Sequence, residues 1–116
     1  MERSEMILSI FLLIIKKLDI METFEEKRQQ YQKQIENNPS QFESNYEMGK
    51  LYYEQASQSG STEPSATQWL KQSAQYLEKA DQIKPDSRDN LTMLQKVYTR
   101  INDSEKVKGI NERLKN

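Results

Sequence analysis

PSQFESNYEMGKLYY, residues 39–53, is echoed 46 residues further on by PDSRDNLTMLQKVYT, residues 85–99. The shift pairs Pro39 with Pro85, Asn45 with Leu91, Met48 with Leu94 and Tyr52 with Tyr98. Positions 45, 48 and 52 are three and four residues apart, so they share one face of a helix. Each half therefore opens on a proline and a short turn and continues as a helix carrying that stripe. A second helix packed behind the first is expected in each half, the pattern of a helical-hairpin repeat.

Working outward, the spacing predicts a helix over 41–56, entered through Ser40 with Glu43 three residues later as a capping-box partner. This helix has two stripes. Asn45, Met48 and Tyr52 form one, and Phe42, Tyr46, Lys50 and Tyr53 form another roughly 100° away. The first is expected to face a core and the second to present aromatics elsewhere. Gly49 lies between them; a glycine inside a helix costs about 1 kcal/mol relative to alanine, so it predicts a close helix crossing. Upstream, 22–37 predicts a helix with a narrow apolar face of Phe24, Tyr31 and Ile35, stopped by Asn37, Asn38 and Pro39.

Downstream, SQSGSTEPSA at 57–66 reads as a flexible loop, without the glycine spacing or the Lys-Ser/Thr of a phosphate-binding loop. A helix over 65–84 is expected to bury Trp69, Ser73, Tyr76, Leu77, Ala80 and Ile83, and Pro85 stops it. Asp86 or Ser87 caps the next helix, in which Leu91, Leu94, Val97 and Tyr98 form the stripe up to Ile101. Asn102 and Asp103 make a turn, and a last helix over 104–115 buries Val107, Ile110 and Leu114. Strand-like alternation is scarce, and the chain has only three glycines and three prolines, so the expected fold class is all-α.

The 116 residues suit one domain, and an apolar share of 34% against 30% charged predicts a thin core. With 17 basic and 18 acidic residues the net charge is −1, which offers nothing for a polyanion such as nucleic acid. Neither cysteine nor histidine occurs, which removes disulfides, Cys/His metal sites, thiol nucleophiles and imidazole chemistry. The paired carboxylates Glu25/Glu26 and Asp86/Asp89 stand at helix starts, where they complement the helix dipole. No strained nucleophile motif surrounds a serine, and no EF-hand spacing occurs. No enzyme, cofactor or metal is expected.

Residues 6–15, MILSIFLLII, are almost uniformly apolar and are followed by Lys16 and Lys17. The stretch is shorter than the about 20 residues of a spanning helix. MERSE is not a basic leader and no small-residue cleavage site follows, which speaks against an export signal. Three readings of 1–20 stand: a membrane-associating helix, a helix buried by the rest of the chain, or an extension upstream of a natural start at Met21. The expected organisation is an apolar segment at 1–20 and a helical repeat domain at 21–116.

On these residues the chain resembles the tetratricopeptide repeat (TPR) family. Met48-Gly49 and Tyr52 fill the family's first-helix positions, and Ser73, Leu77, Ala80 and Pro85 follow its four, three, five spacing. In the second unit Leu91, Leu94 and Tyr98 match, and Asn102-Asp103 stand at its inter-helix turn. Asn45, Ser73 and Gln95 depart from the pattern. The likeness covers about residues 38 to 114; the ending is similar to the C-terminal repeats of Bacteroidetes-type TPR proteins, and the helix at 22–37 looks like the second half of a preceding repeat. The resemblance implies antiparallel helical hairpins stacked as a short right-handed solenoid, with an extended inter-helix loop and a capping last helix.

It also implies a non-enzymatic protein-interaction module, an adaptor taking a peptide or partner helix in a concave groove. The groove positions would be Glu43, Tyr46, Lys50, Tyr53 and Glu54 in one unit and Asp89, Thr92, Lys96, Thr99 and Arg100 in the next. Of these, Tyr46, Lys50, Tyr53, Asp89, Lys96 and Arg100 are the candidate protein-binding residues. Lys96 and Arg100, a turn apart, suit an acidic group. Tyr46 and Met93 stand where a carboxylate clamp for chaperone tails would need a basic residue and an asparagine, which argues against that role. The alternative is a structural cap or self-assembling unit of a solenoid, a homo-oligomer or membrane-associated through residues 6–15. The expected location is cytoplasmic, with membrane association or export as the alternative.

Overall fold

In a computed structural model the chain is all-helical, with no strand among the described residues. The backbone is described for residues 2–58 and 64–116, and the side chains for 6–14, 24–58 and 65–116. The helices are α1 (Glu2–Asn37), α2 (Phe42–Gln58), α3 (Pro64–Ile83), α4 (Arg88–Arg100) and α5 (Ser104–Lys115). Four of them lie where the spacing places them. The loop expected at 57–66 is shorter than its composition suggested, since 57–58 end α2 and 64–66 begin α3, and its middle, 59–63, lies outside the described residues.

The helix ends follow local chemistry. Asn37 is the last residue of α1, two before Pro39, and Pro64 takes the first position of α3, where its missing N–H is no loss. Of the two cap candidates before α4 it is Ser87 whose side chain accepts the Asn90 N–H, while Asp86 takes a left-handed φ of 64°. Asn102 takes the left-handed position after α4, with φ 60°. Its N–H donates to Thr99 O and that of Asp103 to Tyr98 O, a Schellman close. Asp103 then caps α5 by accepting the Lys106 N–H. The helix expected from Gln41 begins at Phe42, one residue later than a capping box on Ser40 requires.

Successive helices pack on one another and run antiparallel. Gln34 meets Ser44 near the α1/α2 turn while Phe24 meets Tyr52. Lys84 meets Phe42 at one end of the α2/α3 pair, and Tyr52 meets Trp69 toward the other. In α4/α5, Arg88 bonds Leu114 O and Gln95 bonds Asn111. Alternate helices run parallel: Phe24 against Trp69 and Gln32 against Tyr76 align α1 with α3, and Glu78 against Lys106 and Asp81 against Arg113 align α3 with α5. The 46-residue echo thus corresponds to a spatial repeat, with α1, α3 and α5 in one layer and α2 and α4 in the other.

Gly49 sits at the tightest part of the α2/α3 crossing, where Ser73 Oγ donates to Gly49 O at 2.6 Å. Met48, Tyr52, Leu77, Ala80, Leu91, Leu94, Val97, Tyr98 and Ile110 are buried, as their stripes predict. Asn45 is buried as well, satisfied by Gln41 O and Pro39 O at 2.8 and 3.4 Å. Trp69, Tyr76, Val107 and Leu114 pack on the core while half-buried. The stripes did not identify Ala66, Leu70, Ala74, Asn90 and Met93, which are buried too.

At the N-terminus the outcome differs from one expectation. A single helix crosses the 20/21 boundary without a break, and residues 6–14 are not covered by neighbours: Met6, Ile7, Leu8 and Leu13 are each 60% exposed or more. The reason is length. α1 has 36 residues, and among the described side chains those packed on the core begin at Phe24, roughly 15 Å of helix beyond residues 6–14. No helix of the described residues is long and apolar enough to cross a membrane.

Candidate partner-binding face

The second stripe of α2 meets α4 edge to edge. Tyr46 and Tyr53 are half-buried, packed against the core that α3, α4 and α5 share, and each leaves part of its ring at the surface. They do so because Tyr46 and Tyr53 trail the buried Asn45 and Tyr52 by one position, which turns them toward α4 rather than α3.

Two clusters result. In the first, the Tyr46 ring stacks on Phe42 (centroids 5.7 Å apart, 9° between planes), with Lys50 Nζ 5.7 Å from the Tyr46 centroid and Lys84 Nζ 5.5 Å from the Phe42 centroid. In the order Lys84, Phe42, Tyr46, Lys50 two cations flank a stacked ring pair, each cation–ring contact of the kind worth about 0.5–1 kcal/mol at exposed sites. Burial pushes the Tyr46 hydroxyl pKa up, and the carboxylates of Asp89, Glu47 and Glu43 add to it, so the phenol stays a hydrogen-bond donor. Asp89 therefore belongs with this cluster.

In the second, the Arg100 guanidinium lies 5.5 Å from the Tyr53 centroid and donates to Ser57 Oγ (3.0 Å) and Ala56 O (3.5 Å). Arg100 thus closes the carboxyl end of α2, where a cation complements unsatisfied carbonyls and the helix dipole. This revises the expected Lys96/Arg100 clamp: Arg100 already holds α2, and Lys96 alone is exposed beside it. Tyr53, Lys96 and Arg100 line an open depression of about 450 Å³ with Thr99 of α4 and Val107 and Asn111 of α5. Lys50 and Glu54 instead border a smaller hollow of about 220 Å³ between α1 and α2, with Lys27, Tyr31 and Glu47. The candidate residues are therefore split over two neighbouring surfaces rather than aligned in one channel.

No family model, curated protein or solved structure matches the chain. The site is read from its own geometry. Among the described residues no three acidic side chains gather as a cation site would need. Partly open tyrosine edges, lysines interspersed with carboxylates and a shallow depression are the chemistry on offer, which suits the side of a helix or an extended peptide. Sequence reasoning did not find Lys84, Ser57 and Asn111. Lys84 reaches Phe42 only because α3 returns antiparallel to α2, and no local pattern announces that.

Proposed function

We propose that the chain is a non-enzymatic protein-interaction module of TPR-like type, an adaptor that takes a peptide or partner helix along the α2/α4 face. The observation that carries this reading is the parallel placement of α2 and α4, with Tyr46 and Tyr53 both open in part to solvent along one seam. Tyrosine offers large apolar area, a polar tip and few rotors to order, which is why it concentrates energy at interfaces. Lys50, at the edge of that face, and Lys96 are interspersed with Glu43, Glu47, Glu54 and Asp89, so the face is of mixed charge and suits a partner that carries both signs. A cytoplasmic location is part of the same proposal.

Both lysines sit outside the core, so Lys50→Glu with Lys96→Glu is a better probe than removing the tyrosines, which also support packing. Capture from the lysate of the source organism, with equal folding checked by circular dichroism, should retain a protein on the wild type that the double variant loses. Identical sets on both would remove the face from consideration.

A further inference from the structure

The start of α1 carries more uncovered apolar surface than any other part of the described chain. Met6, Leu8, Phe11 and Leu13 are 67%, 60%, 59% and 64% exposed, and their neighbours are at least half exposed. Soluble surfaces rarely leave contiguous apolar patches beyond a few hundred Å² without a use for them. The distribution around the helix decides what covers this one. At 100° per residue, Ile7 and Phe11 point one way, Leu8 and Leu12 a second, Met6 and Leu13 a third. There is no polar stripe; Ser9 is the one hydroxyl in the run.

A second copy pairing along this helix would cover one sector and leave the other two wet. Three side chains in such a seam fall well short of the about 800 Å² per partner of a standard stable interface. A surrounding apolar phase covers all three sectors at once. Residues 6–15 are about 15 Å long, half of the roughly 30 Å hydrocarbon core of a bilayer. They are flanked by charge on both sides, Glu2, Arg3 and Glu5 before and Lys16 and Lys17 after, so both ends stay at headgroup level and the run lies in the plane of one leaflet's outer acyl region. In the sequence Lys16 and Lys17 follow directly, where headgroup phosphates would lie.

We propose that residues 6–14 of α1 insert into one leaflet of a lipid bilayer and hold the helical layers at its surface. This does not rest on the α2/α4 face, since no residue is shared. The rest of α1 continues the same unbroken helix, so the layers lie beside the inserted segment at the membrane surface.

The test uses the full chain and vesicles of equal parts phosphatidylcholine and phosphatidylglycerol. In flotation the wild type should rise with the vesicles, and Phe11→Glu with Leu13→Glu, on opposite sides of the helix, should lower the bound fraction at least about tenfold. The two side chains lie outside the packed core, so the variant should melt at the wild-type temperature. The chain has no cysteine, so Leu12→Cys carrying an environment-sensitive dye should shift to the blue when vesicles are added. Wild type that stays unbound, or that floats no better than the double variant, overturns the proposal. So does a discrete oligomer that persists beside vesicles with the dye unshifted, which would assign the segment to self-assembly instead.

Discussion

A methyl group built on Gly49 would lie 2.5 Å from Cδ2 of Leu77 and 3.3 Å from the carbonyl oxygen of Ser73. Leu77 is fully buried and cannot swing away, so Gly49→Ala forces α2 and α3 apart. Overpacking of this kind costs about 1–3 kcal/mol, against about 1 kcal/mol returned by better helix propensity. A net loss near ~1 kcal/mol is expected in urea denaturation, whereas a stabilised variant would mean that the crossing is looser than drawn. The second residue-scale prediction concerns Asp81, whose carboxylate receives two bonds from Arg113 at 2.7 and 2.9 Å. The Arg113 hydrogen bonds, and to a lesser extent the Asp86 N–H, hold its pKa below the ordinary 3.8 despite partial burial. A depressed folded-state pKa contributes stability at pH values above the unfolded one and loses it as pH falls through the folded value. The melting temperature of Asp81→Asn should therefore lie below wild type at neutral pH, and the gap should close as pH drops below about 4. A gap unchanged in acid would remove the carboxylate charge as its cause.

Helices here are held by their ends as much as by their faces. α5 is 12 residues long and buries only Ile110 fully, so the Asp103 cap and the Arg113 links to Asp81 and Asp86 carry a large share of its attachment. Asp103→Ala should cost about 1 kcal/mol, read as an earlier thermal transition, and hydrogen exchange should speed up in α5 before α2. Equal exchange in both helices would show that α5 does not open separately. The same economy appears in the repeat. Ser44 and Asn90 stand 46 residues apart, both are buried, and each bonds the preceding helix: Ser44 Oγ to Gln34 Oε1 and Asn90 Nδ2 to Leu77 O. A buried polar group needs a partner, and both units supply one from the same side, although Asn90 Oδ1 is buried without one.

Across the whole molecule, the radius of gyration of 18.2 Å exceeds the about 13 Å of a compact domain of this length. The uncovered start of α1, which carries no neighbour on residues 6–14, adds to it. No core residue precedes Phe24 among the described side chains, so removing residues 1–20 should leave the melting temperature within about 2 °C of the full chain. Small-angle scattering should show the radius falling toward the compact value. A collapse of stability would mean that the segment packs on the layers in solution.

Several features were legible in the residues alone. Helix positions follow from apolar spacing and from Pro39, Pro85 and Asn102-Asp103, because backbone conformation at prolines and left-handed turns is set locally. The buried stripes of α2 and α4 follow from a three-and-four repeat that only a helix can bury on one side. The close approach at Gly49 was legible too, since a helical glycine needs a reason. Tertiary structure alone decided that Arg100 closes the end of α2 rather than waiting for a ligand, and that Lys84 covers Phe42. It also decided that residues 6–14 of α1 lie uncovered. These outcomes depend on which side chains become neighbours once helices lie antiparallel. Period and propensity do not encode that, because a stripe says which face is buried and not what lies beyond its edge.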